Sequence, residues 1–386
     1  METARVSRRG GDRWAQGHPW IYRSDVTRPP AGPAGAVRVV AEGGAFLGIA
    51  LWSPASTISL RLLTREEREI DFGFWRERVD AAARFRESLA PDATAYRLMH
   101  GEADGAPSLV VDRYGEHLVV QLLSAGLEAF RGEIVSALQE RFQPAGMLAR
   151  NDVPVRSHEQ LDRSVELLAG SVPEELEVRE GRVRYRVAPW TGQKTGAFLD
   201  QRENRGRAGE LSRGRALDCF SYHGSFALHL ATGAAEVVAV DSSAPALARA
   251  SENAALNGFE HVRAVEANVF DFLRAQESAG ERYDIVVLDP PAFSKRRDAL
   301  PQALRAYKEV NLRALRLLTP GGHLCTFSCS FHVDTASFRE MLRSAAVDSG
   351  RPVRWIEARG QSADHPELLQ IPESGYLKGA VLQAMP

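Results

Sequence analysis

From Trp190 onward, apolar runs of strand length alternate with stretches of helical spacing. This alternation limits the fold more than any other feature of the chain. The strand patterns RALDCF, EVVAVD, VRAVEA, YDIVVLD and HLCTFS are separated by helical patterns over about 225–232, 244–257, 269–279 and 300–318. The strands are almost continuously apolar, so both their faces are buried. That implies a mainly parallel sheet covered by helices on both sides. Sheets of this kind hold ligands just outside the carboxyl ends of their strands. The residues after each strand are therefore the candidate site.

Upstream the pattern differs. Residues 1–70 carry Arg5, Arg8, Arg9, Arg13, Arg23, Arg28, Arg38, Arg61 and Arg65 against Glu2, Asp12, Asp25 and Glu42. Their short apolar runs (AVRVV, AFLGIALW, ISLRLL) are divided by PPAGPAG and EGG, which predicts a small β-barrel. Residues 71–188 read as a central α/β domain. It has a helix over 71–90, strands APSLVVDRYG and EHLVVQLL turning at Tyr114-Gly115-Glu116, and a helix over 126–141. Strand GMLAR and a hairpin turning at Glu180-Gly181 follow. The fold class is α/β, in three domains: 1–70, 71–188 and 189–386.

A length of 386 residues fits two or three domains. No apolar run approaches the roughly 20 residues that span a bilayer. The charged N-terminus has no apolar stretch behind it, unlike a secretory signal. Three cysteines (Cys219, Cys325, Cys329) make neither a disulfide framework nor a zinc spacing, so no metal is expected and a reducing cytoplasm is the expected location. The net charge of -2 excludes an overall basic coat but leaves room for a local basic patch.

The strand ends hold distinct residues. The first runs Asp218-Cys219-Phe220-Ser221-Tyr222-His223-Gly224, a loop ending in Gly that lets backbone approach a ligand at a helix N-terminus. It is not G-x-G-x-x-G, so a ligand with an amino-acid end and no phosphate suits it better than a dinucleotide. The second ends in Asp241, placed to accept both hydroxyls of a ribose or to cap the next helix. Asn268 after the third could meet an adenine edge or cap a helix. The fourth gives Asp289-Pro290-Pro291-Ala292-Phe293, a rigid extended wall with a carboxylate at its base, suited to a flat base. The fifth gives Thr326-Phe327-Ser328-Cys329-Ser330. A free Cys is usually a small buried hydrophobe, the reading that suits Cys219 and Cys325. Cys329 lies at the carboxyl edge beside the Asp289 loop, as a nucleophile would.

Taken together with Gln193-Lys194-Thr195-Gly196-Ala197-Phe198-Leu199-Asp200-Gln201-Arg202, and with DCFSYHGSF, DPPAFSK and SCS, these strand ends resemble a class I S-adenosyl-L-methionine-dependent methyltransferase. The chain more closely resembles the bacterial 23S ribosomal RNA large-subunit cytosine-5 methyltransferases that carry an N-terminal PUA domain. GHPWIYRSDV resembles the PUA module, and 71–188 the family's central domain, so the likeness covers nearly the whole chain. It implies a Rossmann-like catalytic domain, S-adenosyl-L-methionine as cofactor, 23S ribosomal RNA as partner, no membrane, and room for a homodimer. It further implies that Asp241 holds the ribose and Asn268 the adenine. Phe198, Asp200, Arg202, Asp218, Phe220, Gly224, Asp289 and Pro290 would complete the cofactor site. Lys194, Arg9 and Arg23 would meet RNA. Asn268 stands where the family usually has Asp, His223 where it commonly has Thr, and Ala292 where many RNA cytosine-5 methyltransferases carry a second Cys.

C5 of cytosine is a weak nucleophile. Addition of a Cys329 thiolate at C6 would activate it, with Asp289 stabilising charge at N3. A base must later remove the C5 proton so that the thiol is eliminated. An enzyme methylating an exocyclic amine or a purine nitrogen is the nearest alternative and needs no thiol. A nicotinamide dehydrogenase would need the missing glycine fingerprint. A non-catalytic RNA-binding protein would not need Asp241 and Asp289 intact.

Overall fold

The computed structural model describes residues 1–89, 91–293 and 297–386, with backbone alone for Arg297. Two compact units emerge. One comprises Met1–Val178, Val187–Leu199 and Ala363–Ser374, the other Arg179–Arg186, Asp200–Ser362 and Gly375–Pro386.

The first unit begins with Thr3–Val6 (β1), Arg8–Ala15 (α1), Trp20–Tyr22 (β2), Val26–Arg28 (β3), Gly35–Ala41 (β4), Phe46–Trp52 (β5) and Ile58–Thr64 (β6). The six strands form one sheet in the order β2-β6-β5-β4-β1-β3, as the Gly/Pro-separated apolar runs predict. Helix α1 was not foreseen, because Arg8-Arg9-Gly10-Gly11 reads as a turn. The Ser7 side chain caps it by accepting from Gly10 N, and it buries Trp14 against Ile21, Val39 and Leu60.

Next come Phe72–Leu89 (α2), Ala95–His100 (β7), Leu109–Tyr114 (β8), His117–Leu122 (β9), Ala125–Glu128 (α3), Arg131–Phe142 (α4), Gly146–Arg150 (β10), Val155–His158 (α5) and Val165–Gly170 (β11). The five strands order as β11-β10-β9-β8-β7. β8 and β9 turn at Gly115, whose φ of 60° only glycine adopts at little cost. The single helix expected over 126–141 is instead two, because Phe130 has left helical geometry and starts α4 anew.

The second unit holds the tip of a hairpin, Leu176–Glu180 (β12) and Val183–Val187 (β13), turning through Gly181 as expected. Then follow Arg202–Leu211 (α6), Arg215–Cys219 (β14), Ser225–Ala231 (α7), Glu236–Asp241 (β15), Ala244–Leu256 (α8), Val262–Glu266 (β16), Val269–Ser278 (α9), Tyr283–Leu288 (β17), Leu300–Leu317 (α10), Leu318–Ser328 (β18), Thr335–Ser349 (α11), Val353–Arg359 (β19) and Lys378–Ala384 (β20). The sheet order is β16-β15-β14-β17-β18-β20-β19. Its first five strands are parallel, and β20 and β19 add antiparallel. Alternate residues feed two cores. Leu217, Val238, Val286 and Leu324 pack with Leu273, Val310 and Leu342 on one face. Ala216, Val237, Ile285 and Cys325 pack with Phe226 and Leu230 on the other. The chain leaves β14 in one direction for β15 and β16, then returns for β17 on its other side. That reversal opens a crevice at the carboxyl ends of β14 and β17.

Candidate functional site

The loop after β14 is built from unusual backbone. Phe220, Tyr222 and Gly224 have φ of 62°, 48° and 82°. For the two non-glycine residues this is costly and persists only where neighbours enforce it. Here Ser221 N donates to Val240 O at 3.1 Å, and Tyr222 N donates to the Asp241 carboxylate at 2.9 Å. Gly224 begins α7, and a Cβ there would lie 2.8 Å from the Ala250 Cβ. No larger side chain fits, so the backbone stays open at the helix N-terminus.

Asp241 accepts from Tyr222 N through one oxygen and from Ser243 N through the other, each at 2.9 Å. Each carboxylate oxygen retains a second lone pair, enough for two vicinal hydroxyls. The capping role that Asp241 might have filled belongs to Ser243, whose Oγ accepts from Ala246 N at the start of α8. Asn268 does act as a cap, accepting from Phe270 N at 2.9 Å and Asp271 N at 3.4 Å. Asp218 is 1% exposed and accepts from Ala227 N at 2.9 Å. Burial pushes its carboxyl well above the usual range, and the charges of Asp289 and Asp241 push the same way. Asp241 and Asp289 thus place two carboxylates at this edge, a field that favours a cationic ligand.

Aromatic rings gather beside them. Phe293 lies 6.1 Å from Phe220, 5.8 Å from Phe270 and 4.6 Å from Tyr307. Asp289 follows β17 directly, with Pro290 next. Gln201 donates to Asp289 Oδ1 at 2.8 Å and accepts from Asn204 at 2.6 Å, so a buried amide chain orients the carboxylate. Asp200 accepts from the Tyr376 hydroxyl at 2.8 Å, and Arg202 lies 3.4 Å from Glu203. Cys329 follows β18, the strand paired with β17 through Leu288 and Thr326, so Asp289 and Cys329 extend from adjacent strand ends. Cys329 is exposed. Burial pushes the Cys325 thiol up to about 12 and the Cys219 thiol well above its usual value, so neither is a nucleophile near neutrality.

The remaining expected residues lie in the first unit. Lys194 has φ of 54° and sets Nζ 4.6 Å from the Phe198 ring centre. Thr195 between them donates to Asp112 at 2.6 Å, which fixes this stretch. Arg9 pairs at 2.7 Å with Asp25, which is 2% exposed, and Arg23 donates to Pro54 O. Ser294 and Lys295 of the DPPAFSK motif lie outside the described residues. Among the described residues no cluster of His, Cys, Asp or Glu could hold a metal ion, and no helix is long and apolar enough to cross a membrane.

Comparison with known proteins agrees with this geometry. A family model described as S-adenosylmethionine-dependent methyltransferase matches residues 97–367, and a PUA-like domain model matches 4–65. Ribosomal RNA large subunit methyltransferase I of Shewanella amazonensis is 41% identical over 94% of both chains. This chain belongs to that family. The family's protein from Erwinia tasmaniensis is 40% identical, again over 94% of each chain. The solved structure of SMU.776 complexed with SAH matches at TM-score 0.85 and 20% identity, over 99% of this chain and 100% of that one. The chain is a methyltransferase of Rossmann-like fold with an N-terminal PUA-like domain, and S-adenosylmethionine is its cofactor.

The site suits that cofactor. Its positive charges would suit the carboxylates of Asp241 and Asp289, its ribose hydroxyls would suit the remaining lone pairs of Asp241, and its lack of phosphate suits the absent glycine fingerprint. The structure brings together Asp218, Phe220, Gly224, Asp241, Asn268, Asp289, Pro290 and Cys329 along one sheet edge. It also brings in Gln201, Phe270 and Tyr307, for which sequence reasoning found no role. Gln201 stood within a motif already singled out. The two aromatics lay inside helical patterns and read as core.

Proposed function

We propose that this methyltransferase acts on large-subunit (23S) ribosomal RNA and forms 5-methylcytosine through a transient bond between Cys329 and C6 of the target base. The observation that carries the reading is the exposed Cys329 thiol on the strand end next to Asp289, while the other two cysteines are buried. The ribosomal RNA substrate is supported by the names of the relatives. In this reading residues 1–70 grip RNA, 71–188 link, and 189–386 catalyse. Arg23 and Lys194 contribute phosphate contacts, and Asp200 and Arg202 complete the cofactor pocket.

When bound, S-adenosylmethionine supplies an electrophilic methyl group. The chain's residues do the rest. The target base is unstacked and meets the Phe293 wall. Cys329 Sγ, having lost its proton, adds at C6 and breaks the C5–C6 double bond. Asp289, oriented by Gln201 and entering this step as the acid, gives its proton to N3 as negative charge builds there and takes it back when the thiolate leaves. After C5 is methylated its proton leaves to a base, the double bond re-forms and the thiolate departs.

The test is methyl transfer from labelled cofactor to large-subunit ribosomal RNA, followed by nucleoside identification. Cys329→Ser and Cys329→Ala should lower the rate by about 1,000-fold or more while keeping cofactor affinity. Full activity of either variant, or a labelled purine as the product, would sink this reading in favour of a nitrogen methyltransferase.

A further inference from the structure

The turn that carries Cys329 is fastened by a buried lysine. Lys378 opens β20, where Ser328 is its cross-strand partner. It is 7% exposed, and its Nζ donates to Ser330 O at 2.8 Å and Tyr376 O at 2.7 Å. Two more bonds hold the same turn. The Tyr307 hydroxyl and Ser330 Oγ lie 2.9 Å apart, and Ser330 N donates to Ser328 Oγ at 3.3 Å. Cys329 is the residue between these two serines.

A buried ammonium is expensive unless anionic charge faces it. Burial lowers the Lys378 pKa, while the charges of Cys329 and Asp334 oppose that. Asp334 already serves as the cap of α11, accepting from Ser337 N at 2.7 Å. From α10 the packed group is the neutral Tyr307 hydroxyl, which burial keeps above its usual pKa. The charge that Lys378 can stabilise and that the chemistry uses is therefore the thiolate.

We propose that Lys378 is the positioning residue of the nucleophile, holding the 328–330 turn in place and stabilising the Cys329 thiolate. This rests on the reading of Cys329 given above. The only bond broken is S–H, whose proton passes to solvent. Neutral surroundings would leave only a few per cent of a thiol ionised at neutral pH.

The experiment follows alkylation of Cys329 by iodoacetamide against pH. It uses the full-length protein without RNA or cofactor, and reads the Cys329 peptide by mass spectrometry. The wild-type midpoint should fall below the ordinary value of about 8.5. Lys378→Met should raise it by about one unit, roughly a tenfold loss of thiolate near neutrality, and Lys378→Arg should restore it. Equal midpoints in wild type and Lys378→Met overturn the proposal. Should Lys378→Met not fold, a wild-type midpoint at or above about 8.5 overturns it instead. Failure of the nucleophile reading looks different. There Cys329→Ser would keep methyl transfer while the alkylation shift persists.

Discussion

The ring of His223 is buried in the cofactor loop. It stacks on Tyr185 at 5.6 Å and 19° and meets Tyr222 at 4.6 Å. Neither ring nitrogen has a hydrogen-bond partner on another described residue. Burial, and after it the Arg205 guanidinium, lowers the His223 pKa to about 4. In the unfolded chain it would titrate near 6.5. The unfolded state therefore takes up the proton first as pH falls. The stability held by neutral His223 is complete above about 6.5 and is lost as pH falls towards 4, about 3 kcal/mol over the window. His223→Thr should weaken the fold at neutral pH through lost stacking, yet lose less stability between pH 6.5 and 4 than wild type. Urea unfolding at several pH values checks this, and parallel profiles for the two proteins would dismiss it. The sequence showed that this position is unusual. It could not show why the ring is tolerated, because Tyr185 comes from the distant β12–β13 hairpin.

That hairpin is tied down by one buried carboxylate. Glu180 accepts from Arg205 Nε at 2.7 Å, from Arg205 Nη2 at 2.6 Å and from the Tyr185 hydroxyl at 3.0 Å, with His229 Nε2 also 3.0 Å away. Glu180 and Arg205 are 3% and 1% exposed. Burial works against the Glu180 charge, but Arg205 and then His229 outweigh it and hold the carboxyl far below its usual range. Removing one partner strands the other charge, so Glu180→Gln should cost about 3–5 kcal/mol. The double change Glu180→Leu with Arg205→Met should cost less than either single change. Denaturant midpoints test both, and a single-variant loss below about 1 kcal/mol would show the pair to be incidental. The turn at Glu180-Gly181 was legible, since Gly in a short polar break between alternating runs marks a hairpin. Its ion pair was not, because Arg205 sits in a helical segment where an Arg reads as a solvated charge. The parallel strands β14, β15, β17 and β18 were legible because both their faces are apolar. β19 was hidden for the converse reason: its burial alternates at an open edge of the sheet, and the long stretch before β20 breaks the rhythm.

Each compact unit is assembled from three separate stretches of chain. Contacts between distant stretches leave no periodic mark in a sequence. Ala363–Ser374 joins the first unit through bonds such as Arg86 to Asp364 O at 2.8 Å, which no spacing rule announces. Charge is similarly local. The net value of -2 says little about the face where Arg8, Arg9 and Arg13 line a cavity of about 760 Å³ with Asp12, Gln16 and His18. Not all these arginines are equally available to RNA. Arg9 is committed to buried Asp25, whereas Arg8 is 91% exposed and 3.7 Å from Asp12. Arg13 lies over the Tyr22 ring at 4.6 Å. If this face grips RNA, affinity for a ribosomal RNA fragment should fall linearly with the logarithm of salt concentration. Replacing Arg8 and Arg13 together by Ala should weaken binding about equally for all sequences and make the slope shallower by about one to two. Arg9→Ala should instead lower stability, because it leaves Asp25 buried without its cation. Filter binding at four or five salt concentrations separates these outcomes. An unchanged slope in the Arg8, Arg13 double variant would move the RNA contact away from α1.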